Sequence, residues 1–470
     1  MHLNQSPGNR VRSRLSFFLD RDYFTQLTKY GLPVMFQQLI VALLGMVGVV
    51  MVGQAGDAAV AAVGLAGQVF FLLNLIIFGL GSGSAIFTAQ LWGRQDLPRL
   101  RKVLSLSLVI SLVISLLAFL ACELLPTAII SIFSKDPAVI GLGGRYLRIF
   151  AWSFLPFTIT AIFTMILRST GSVRLPMLVS ISALALNTLL TWALIFGRMG
   201  LPALGVQGAA VAVVLSRLVE CIALLLVMHF RRSPLTLSPG ELFSFDPTFI
   251  ITVLKPVLPV ILNEMLWSLG VTVYSVVYAR MGTASIAAIN MVSTIENVTF
   301  AVTSGITTAT AIMVGNQIGS GREDQAFHTS LRSLILGVIA GLLLGAAALL
   351  GAEKILDLYK VSPAALQNAK NTLLVFGGFL WLKATNMILL IGALRAGGDT
   401  HFGLIVDGYI IWLVGVPAAL LGAFVFHLPV QWVYLLVLSE ELTKCIASLW
   451  RFASRKWIHN LAATVSNGAG

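Results

Sequence analysis

Ionisable and amide side chains occur inside segments of this chain that are otherwise almost entirely apolar. Glu264 follows Asn263 in one such segment, and the others are Asn290, Glu296, Lys383, Asn386 and Asp407. An ionised side chain at the centre of a bilayer costs about 2.5 to 3.5 kcal/mol on insertion scales, so each needs a partner or a task. A carboxylate balanced between desolvation and a nearby cation can take up H⁺ or, with neighbouring oxygens, ligate Na⁺. These residues are therefore predicted to form a cation-coupling site centred on Glu264.

The alternative is structural. Glu264 and Lys383 could form a permanent salt bridge that only holds two helices together, and Asp407, nearer a helix end, suits a structural or a coupling role equally.

The composition of the whole chain places these residues in a membrane. Of 470 residues, 57% are hydrophobic and only 11% are charged, against roughly 25% charged in a soluble domain. Soluble globular, disordered and collagenous classes are thereby excluded. The net charge of +12 is explained by cytoplasmic loops that collect Lys and Arg, so no nucleic-acid partner is predicted.

Apolar runs long enough to cross a bilayer as helices recur along the chain. The twelve predicted spans cover residues 31 to 53, 59 to 92, 103 to 124, 140 to 166, 177 to 196, 208 to 229, 257 to 279, 286 to 316, 331 to 352, 372 to 394, 402 to 425 and 429 to 450. If residues 1 to 30 are cytoplasmic, the inside segments hold twenty Lys and Arg and the outside segments eight. This bias predicts that both termini are cytoplasmic.

An internal duplication organises the spans. Adding 226 to the residue number places residues 32–34 on 258–260, Gly79 on Gly305 and Gly93 on Gly319, without a gap over more than a hundred residues. Because each half holds six spans, both halves enter the membrane from the same side and are related by an axis along its normal. The predicted fold is an all-α integral membrane protein of twelve helices in two six-helix lobes.

The duplication also predicts the domain boundaries. They are a basic cytoplasmic segment at 1–30, an N-terminal lobe at 31–229, a cytoplasmic linker at 230–256, a C-terminal lobe at 257–450 and a cytoplasmic tail at 451–470. Two equivalent bundles leave a cleft between them, and this plan is typical of secondary transporters that expose the cleft to alternate sides.

The two halves differ in their intramembrane charges. The positions that correspond to Glu264, Glu296, Lys383 and Asp407 in the first half are Gln38, Phe70, Pro156 and Ser180. Charges that served only to pack a generic lobe would be expected in both halves. The asymmetry therefore favours a cation site in the C-terminal lobe.

Three segments resemble a known family. Residues 81–93 (GSGSAIFTAQLWG) resemble the end of the second helix of bacterial multidrug and toxin extrusion (MATE) transporters. Residues 394–400 (LRAGGDT) and their counterpart 167–171 (LRSTG) are similar to that family's turns after helices four and ten. The resemblance covers nearly the whole chain. It implies export of organic, often cationic, compounds driven by inward flow of Na⁺ or H⁺.

By this resemblance, Glu264 falls on the acidic position that Na⁺-coupled members carry in helix seven. Two departures matter. The first-helix aspartate of many members is Gly48 here, and the tenth-helix acidic position falls at or beside Lys383 and Asn386. An N-lobe proton switch is therefore not expected, and coupling is predicted to run through Glu264 and Glu296.

A substrate cavity is predicted along the faces that line the cleft. Its candidate residues are Met35, Gln37, Gln38, Trp152, Phe154, Phe157, Trp381 and Trp412. An aromatic face attracts a cationic ligand by about 0.5 to 2 kcal/mol. The alternative is that these aromatic residues face lipid or pack the core.

Close charged pairs occur in the sixth and twelfth predicted spans. Arg217 and Glu220 are three residues apart, as are Glu441 and Lys444 with the signs reversed. Such neighbours can neutralise each other on one helix face. A structural role, within a helix or between the lobes, is the main interpretation, and substrate contact is the alternative.

Together these features predict a secondary active antiporter of the bacterial cytoplasmic membrane, monomeric, that exports organic cationic or amphipathic compounds. We expect small organic substrates and the bilayer as its partners, Na⁺ or H⁺ as the coupling ion, and no cofactor. Enzyme signatures such as His-Glu-x-x-His, a phosphate-binding lysine loop or a nucleophile elbow do not occur in the sequence. The alternative function is a flippase of amphiphilic lipid-linked molecules on a related fold.

Overall fold

The computed structural model describes residues 20–54, 56–243, 245–356, 359 and 361–467, and it contains no strand in these ranges. The long helices are α1 (Arg21–Gly53), α2 (Asp57–Gly93), α3 (Leu97–Leu124), α4 in two parts (Pro137–Ala151 and Phe154–Ser169), α5 (Arg174–Phe196), α6 (Val206–Phe230), α7 (Pro247–Arg280), α8 (Thr283–Gly319), α9 (Glu323–Leu356), α10 (Pro363–Arg395), α11 (Thr400–Val425) and α12 (Val430–Ala453). Short helices span Pro126–Ser131 and Leu461–Asn467.

Most of these helices could cross a membrane by length and composition. Within the described ranges, ten helices are each long and apolar enough to span a membrane. The two parts of α4, which are bent by 51° against each other, together form an eleventh candidate span. The exception is α12, whose apolar run is interrupted by Glu440, Glu441 and Lys444. The predicted all-α membrane fold is confirmed.

The first and seventh helices begin earlier than the apolar runs indicate. Asp20 caps α1 and Asp246 caps α7, each with a side-chain oxygen that accepts N–H groups of the first turn. The two capping positions are related by the same offset of 226, so the repeat extends upstream of the apolar segments. Partial burial alone would raise the pKa of Asp20, but the capped N–H groups and the Arg332 guanidinium hold it below its ordinary value. The predicted boundaries after residues 30 and 256 thus fall inside helices, because the capped first turns are polar.

A seam between the lobes is formed where α1 and α2 of the first half pack on α8 and α7 of the second. A Cβ on Gly93 would overlap the backbone of Asn316, and a Cβ on Gly319 would overlap the backbone of Gln90. These two contacts exchange under the offset of 226, which pairs Gly93 with Gly319 and Gln90 with Asn316. The predicted two-fold relation therefore holds at the level of individual backbone contacts.

The glycine contacts of the seam lie toward one end of the helices. They involve Gly79, Gly83 and Gly93 in the last fifteen residues of α2, and Gly305, Gly315 and Gly319 in the last fifteen of α8. Near the other ends of α1 and α2, a Cβ would meet no atom within 4 Å at Gly45, Gly48, Gly53, Gly64 or Gly67. We call the tightly packed end, where α2 meets α3, the closed end.

Replacing Gly319 by Ala is expected to loosen the closed end. The added methyl group meets backbone atoms of Gln90, which cannot rotate away as a side chain could. Overpacking of this kind costs about 1 to 3 kcal/mol, measurable as a lower thermal unfolding temperature in detergent. The control is Gly45→Ala, which adds the same methyl group where nothing lies within 4 Å and should be neutral or stabilising. Equal effects of the two variants would contradict the seam as described.

Candidate functional site

Glu264 is buried in α7, with 9% of its surface exposed, and its partner is Arg395. Arg395 Nη1 donates a hydrogen bond to Glu264 Oε1, and the two atoms are 2.7 Å apart. Arg395 lies at the end of α10, whose last residues, Ile388–Arg395, form a π-helix. Lys383 precedes Arg395 by twelve residues, a distance of about 18 Å along a helix at 1.5 Å per residue. The predicted pairing of Glu264 with Lys383 is therefore wrong, because one carboxylate cannot contact both positions.

Lys383 instead pairs with Glu296. Its Nζ lies 2.5 Å from Glu296 Oε1, linking α10 to α8, and the two side chains are 26% and 36% exposed. Asn290 is exposed and lies six residues before Glu296 on α8. The predicted coupling set thus separates into a deeply buried pair at Glu264 and a more accessible pair at Glu296.

Asp407 connects three helices of the C-terminal lobe. Its Oδ2 accepts a hydrogen bond from Asn263 Nδ2 at 3.0 Å, and its Oδ1 lies 2.8 Å from Lys444 Nζ on α12. Lys444 is 2% exposed and also contacts Glu440 Oε1 at 2.5 Å. Glu440 in turn accepts a hydrogen bond from the Tyr274 hydroxyl. These contacts join α7, α11 and α12 around one buried ammonium group.

Glu441 is held by an amide rather than by a cation. Asn386 Nδ2 donates to Glu441 Oε2 at 2.6 Å and to its backbone oxygen at 2.7 Å. The pair of Glu441 with Lys444 is not formed, since Lys444 turns to Asp407 and Glu440. The equivalent pair in the first half is formed, with Arg217 Nη1 2.7 Å from Glu220 Oε2.

The interior of the C-terminal lobe carries more acid than base. Along the described parts of α7 to α12, five carboxylates are met by three cations in these contacts, Glu264, Glu296, Asp407, Glu440 and Glu441 against Lys383, Arg395 and Lys444. Buried charge of one sign is costly unless it is compensated. The arrangement can therefore bind H⁺ or a small cation with oxygen ligands.

The sequence predicted one site made of Asn263, Glu264, Asn290, Glu296, Lys383, Asn386 and Asp407. The structure gives six of these side chains polar contacts, in separate groups, and leaves Asn290 exposed. Sequence reasoning missed Arg395, Glu440, Glu441 and Lys444 as site members. The signal for Arg395 was available, because the duplication pairs it with Arg168 in the turn motif. Lys444 was obscured by its spacing to Glu441, which suggested a contact within one helix.

The first half uses neutral partners at related positions. Arg168 Nη2 donates to Gln37 Oε1 of α1 at 2.7 Å, where Arg395 meets a carboxylate of α7. Glu220 accepts a hydrogen bond from the Ser180 hydroxyl at 2.7 Å, and Ser180 corresponds to Asp407. The asymmetry seen in the sequence is thus present in the contacts.

The predicted cavity residues of α4 lie in different environments. Phe154 has no exposed surface and packs against Phe70 and Phe150, so the prediction that it lines a cavity is wrong for this conformation. Trp152 is 58% exposed at the bend of α4, with its ring 5.0 Å from that of Phe119. Phe157 lies beneath the Arg217 guanidinium at 5.2 Å.

The other predicted cavity residues mostly make packing contacts. The backbone of Trp381 lies against Gly341 of α9, and Trp412 Nε1 donates to the Leu266 carbonyl oxygen at 3.1 Å. Met35 packs against Gly305 in the seam. Gln38 is half-buried. A substrate role for these residues stays a prediction.

Comparisons with known proteins agree with this geometry. A family model described as MatE matches residues 33–193 and again 259–421, and the starts of the two ranges differ by the offset of the repeat. The chain is similar to the probable multidrug resistance protein NorM of Thermotoga maritima, 26% identical over 435 residues and 92% of each chain. It is also similar to the probable multidrug resistance protein NorM of Bradyrhizobium diazoefficiens, 27% identical over 410 residues, 86% of this chain and 87% of the relative.

A solved structure shows the same fold. The crystal structure of a mutant of the Vibrio cholerae MATE transporter VcmN superimposes with a TM-score of 0.85 at 18% identity, covering 94% of this chain and 99% of that one. The repeated match of one family model, together with this superposition, confirms the duplicated two-lobe architecture.

Proposed function

The chain belongs to the MATE family of multidrug efflux transporters, which are multi-pass membrane proteins, and from that premise we propose that it is a secondary active antiporter. It exports organic cationic or amphipathic compounds in exchange for inward-moving Na⁺ or H⁺. It acts as a monomer in the bacterial cytoplasmic membrane, with small organic substrates and the bilayer as partners, and needs no cofactor beyond the coupling ion.

The observation that carries this proposal is the excess of carboxylates inside the C-terminal lobe. An entering cation gains electrostatic energy there, whereas the first half offers mostly neutral partners at the related positions. Asn263, which precedes Glu264 in the chain, donates a hydrogen bond to Asp407. A cation bound at one of the two carboxylates therefore changes the electrostatic environment of the other. The coupling site is accordingly proposed around Glu264, Asn263 and Asp407.

The conformation supports alternating access between two lobes. The distribution of Lys and Arg favours a cytoplasmic position for the closed end, and the seam would then be sealed against the cytoplasm in this state. Neutralisation of the C-terminal lobe by an incoming cation would change the electrostatic balance between α7, α10 and α11. Rocking of one lobe against the other would then open the closed end.

Efflux from proteoliposomes tests the proposal. The purified protein is reconstituted and export of ethidium, a planar aromatic cation, is followed under an imposed Na⁺ gradient alone and under a pH gradient alone. Export under at least one gradient, absent from protein-free liposomes and after the gradient is collapsed, is expected. Folded, reconstituted protein that moves ethidium equally well without any gradient would contradict antiport.

A further inference from the structure

A cavity of about 160 Å³ lies in the seam between the lobes, among α2, α4, α8 and α10. Its lining residues occur as pairs related by the duplication, Ser82 with Thr308 and Ile86 with Ile312 at an offset of 226, and Arg168 with Arg395 at 227. The cavity therefore straddles the pseudo-two-fold axis, and each lobe contributes one arginine to its wall. It is separate from the carboxylates that contact Lys444.

The two arginines differ in how their charges are compensated. Arg395 donates to the Glu264 carboxylate at 2.7 Å. Arg168 donates to the neutral Gln37 amide, and its Nε is buried without a hydrogen-bond partner among the described residues. A guanidinium removed from water is costly unless it meets an anion. The wall of the cavity thus carries one positive charge in excess.

The size of the cavity limits what it can hold. It is comparable to a cavity of about 150 Å³ that accommodates a benzene-sized molecule, and it is smaller than the roughly 300 to 1,000 Å³ of drug-sized ligand sites. An exported multidrug substrate does not fit. A small anion does, and the Thr308 hydroxyl on the wall can serve as a neutral donor.

We propose that this cavity binds one small monovalent anion, either an inorganic halide or the carboxylate of a short acid. A single negative charge neutralises the excess on the wall, and guanidinium groups donate charge-assisted hydrogen bonds to such anions. Because the arginines come from different lobes, the bound anion bridges the closed end and favours the conformation in which the seam is sealed. The cavity shares Arg395 with the Glu264 pair of the proposed coupling site, and its test measures anion binding rather than transport.

Anion-dependent unfolding tests the proposal. The full-length protein in lipid nanodiscs is melted in sodium chloride, sodium acetate and sodium gluconate at constant Na⁺ and ionic strength. A ligand of the folded state raises the unfolding temperature in a saturable way. We expect chloride or acetate to raise the unfolding temperature in a saturable way, relative to the larger gluconate. The anion that has this effect distinguishes a halide site from a carboxylate site. No rise with either anion would overturn the proposal.

Two variants separate this site from general salt effects. Arg168→Gln should abolish the anion-dependent rise, whereas Arg174→Gln, the same change at an exposed position six residues away, should retain it. An unchanged rise in Arg168→Gln would overturn the proposal. Should that variant fail to fold, anomalous scattering from crystals of the unaltered protein soaked in bromide or in bromoacetate decides. A peak within the cavity supports the site, and the absence of a peak there with both anions refutes it.

Discussion

Replacing Glu264 by Gln is expected to reduce gradient-driven export to the level of protein-free liposomes. The amide keeps the shape of the side chain but can neither take up H⁺ nor offer a charged ligand to Na⁺. The same change leaves Arg395 buried without its carboxylate, and breaking a buried pair from one side costs about 3 to 5 kcal/mol. The variant should therefore lose both coupled transport and thermal stability, measured by ethidium efflux and by unfolding temperature.

A double variant distinguishes the two losses. Glu264→Gln combined with Arg395→Gln removes both charges of the pair, so most of the lost stability should return while coupled export remains absent. If the double variant exports as well as the unaltered protein, Glu264 serves only to hold α7 to α10 and the coupling role fails.

The sequence was sufficient for the fold because both of its determinants are local or periodic. Long apolar runs specify spanning helices directly, and a gapless offset of 226 specifies the two-fold plan without knowledge of any contact. The helix starts were predicted less well, since Asp20 and Asp246 cap polar turns that lie outside the apolar runs. Hydropathy identifies the part of a helix that is apolar enough to lie in the bilayer, whereas the N-cap residue determines where the helix begins.

The site was predicted in its residues and not in its pairings. Pairing depends on depth and rotation of one helix against another, and neither quantity is encoded by spacing along a single helix. The end of α10 is π-helical up to Arg395, which changes the direction in which its last side chains point. Arg395 thereby reaches Glu264, and Lys383 is left to meet Glu296 at a different depth.

The polarity of α12 illustrates the same difficulty. Glu441 and Lys444 have the spacing of a pair within one helix, yet each contacts a different neighbouring helix, α10 through Asn386 and α11 through Asp407. A pair within a helix gains only about 0.2 to 0.5 kcal/mol. Lys444 instead contacts Asp407 on α11 and Glu440, which lies four residues earlier on α12 itself, so the spacing to Glu441 does not decide where Lys444 points.

Replacing Lys444 by Met is expected to be among the most destabilising single substitutions in the C-terminal lobe. The ammonium group is 2% exposed and contacts both Asp407 and Glu440. Its removal leaves the buried Glu440 and the 18% exposed Asp407 without a cation, where loss of a partner from one buried pair already costs about 3 to 5 kcal/mol. We expect a large fall in the yield of folded protein and in its unfolding temperature, measured by size-exclusion chromatography and thermal denaturation.

Two further variants show whether charge is the cause. Adding Asp407→Asn and Glu440→Gln to Lys444→Met removes all three charges at nearly constant volume and should recover most of the stability. Arg217→Met in the first half should destabilise the protein less, because only one carboxylate, Glu220, loses its cation there and Arg217 is already 29% exposed. Equal losses in the two halves would mean that the C-terminal network gains nothing from its shared ammonium group, and the proposed coupling between its carboxylates would lose its structural basis.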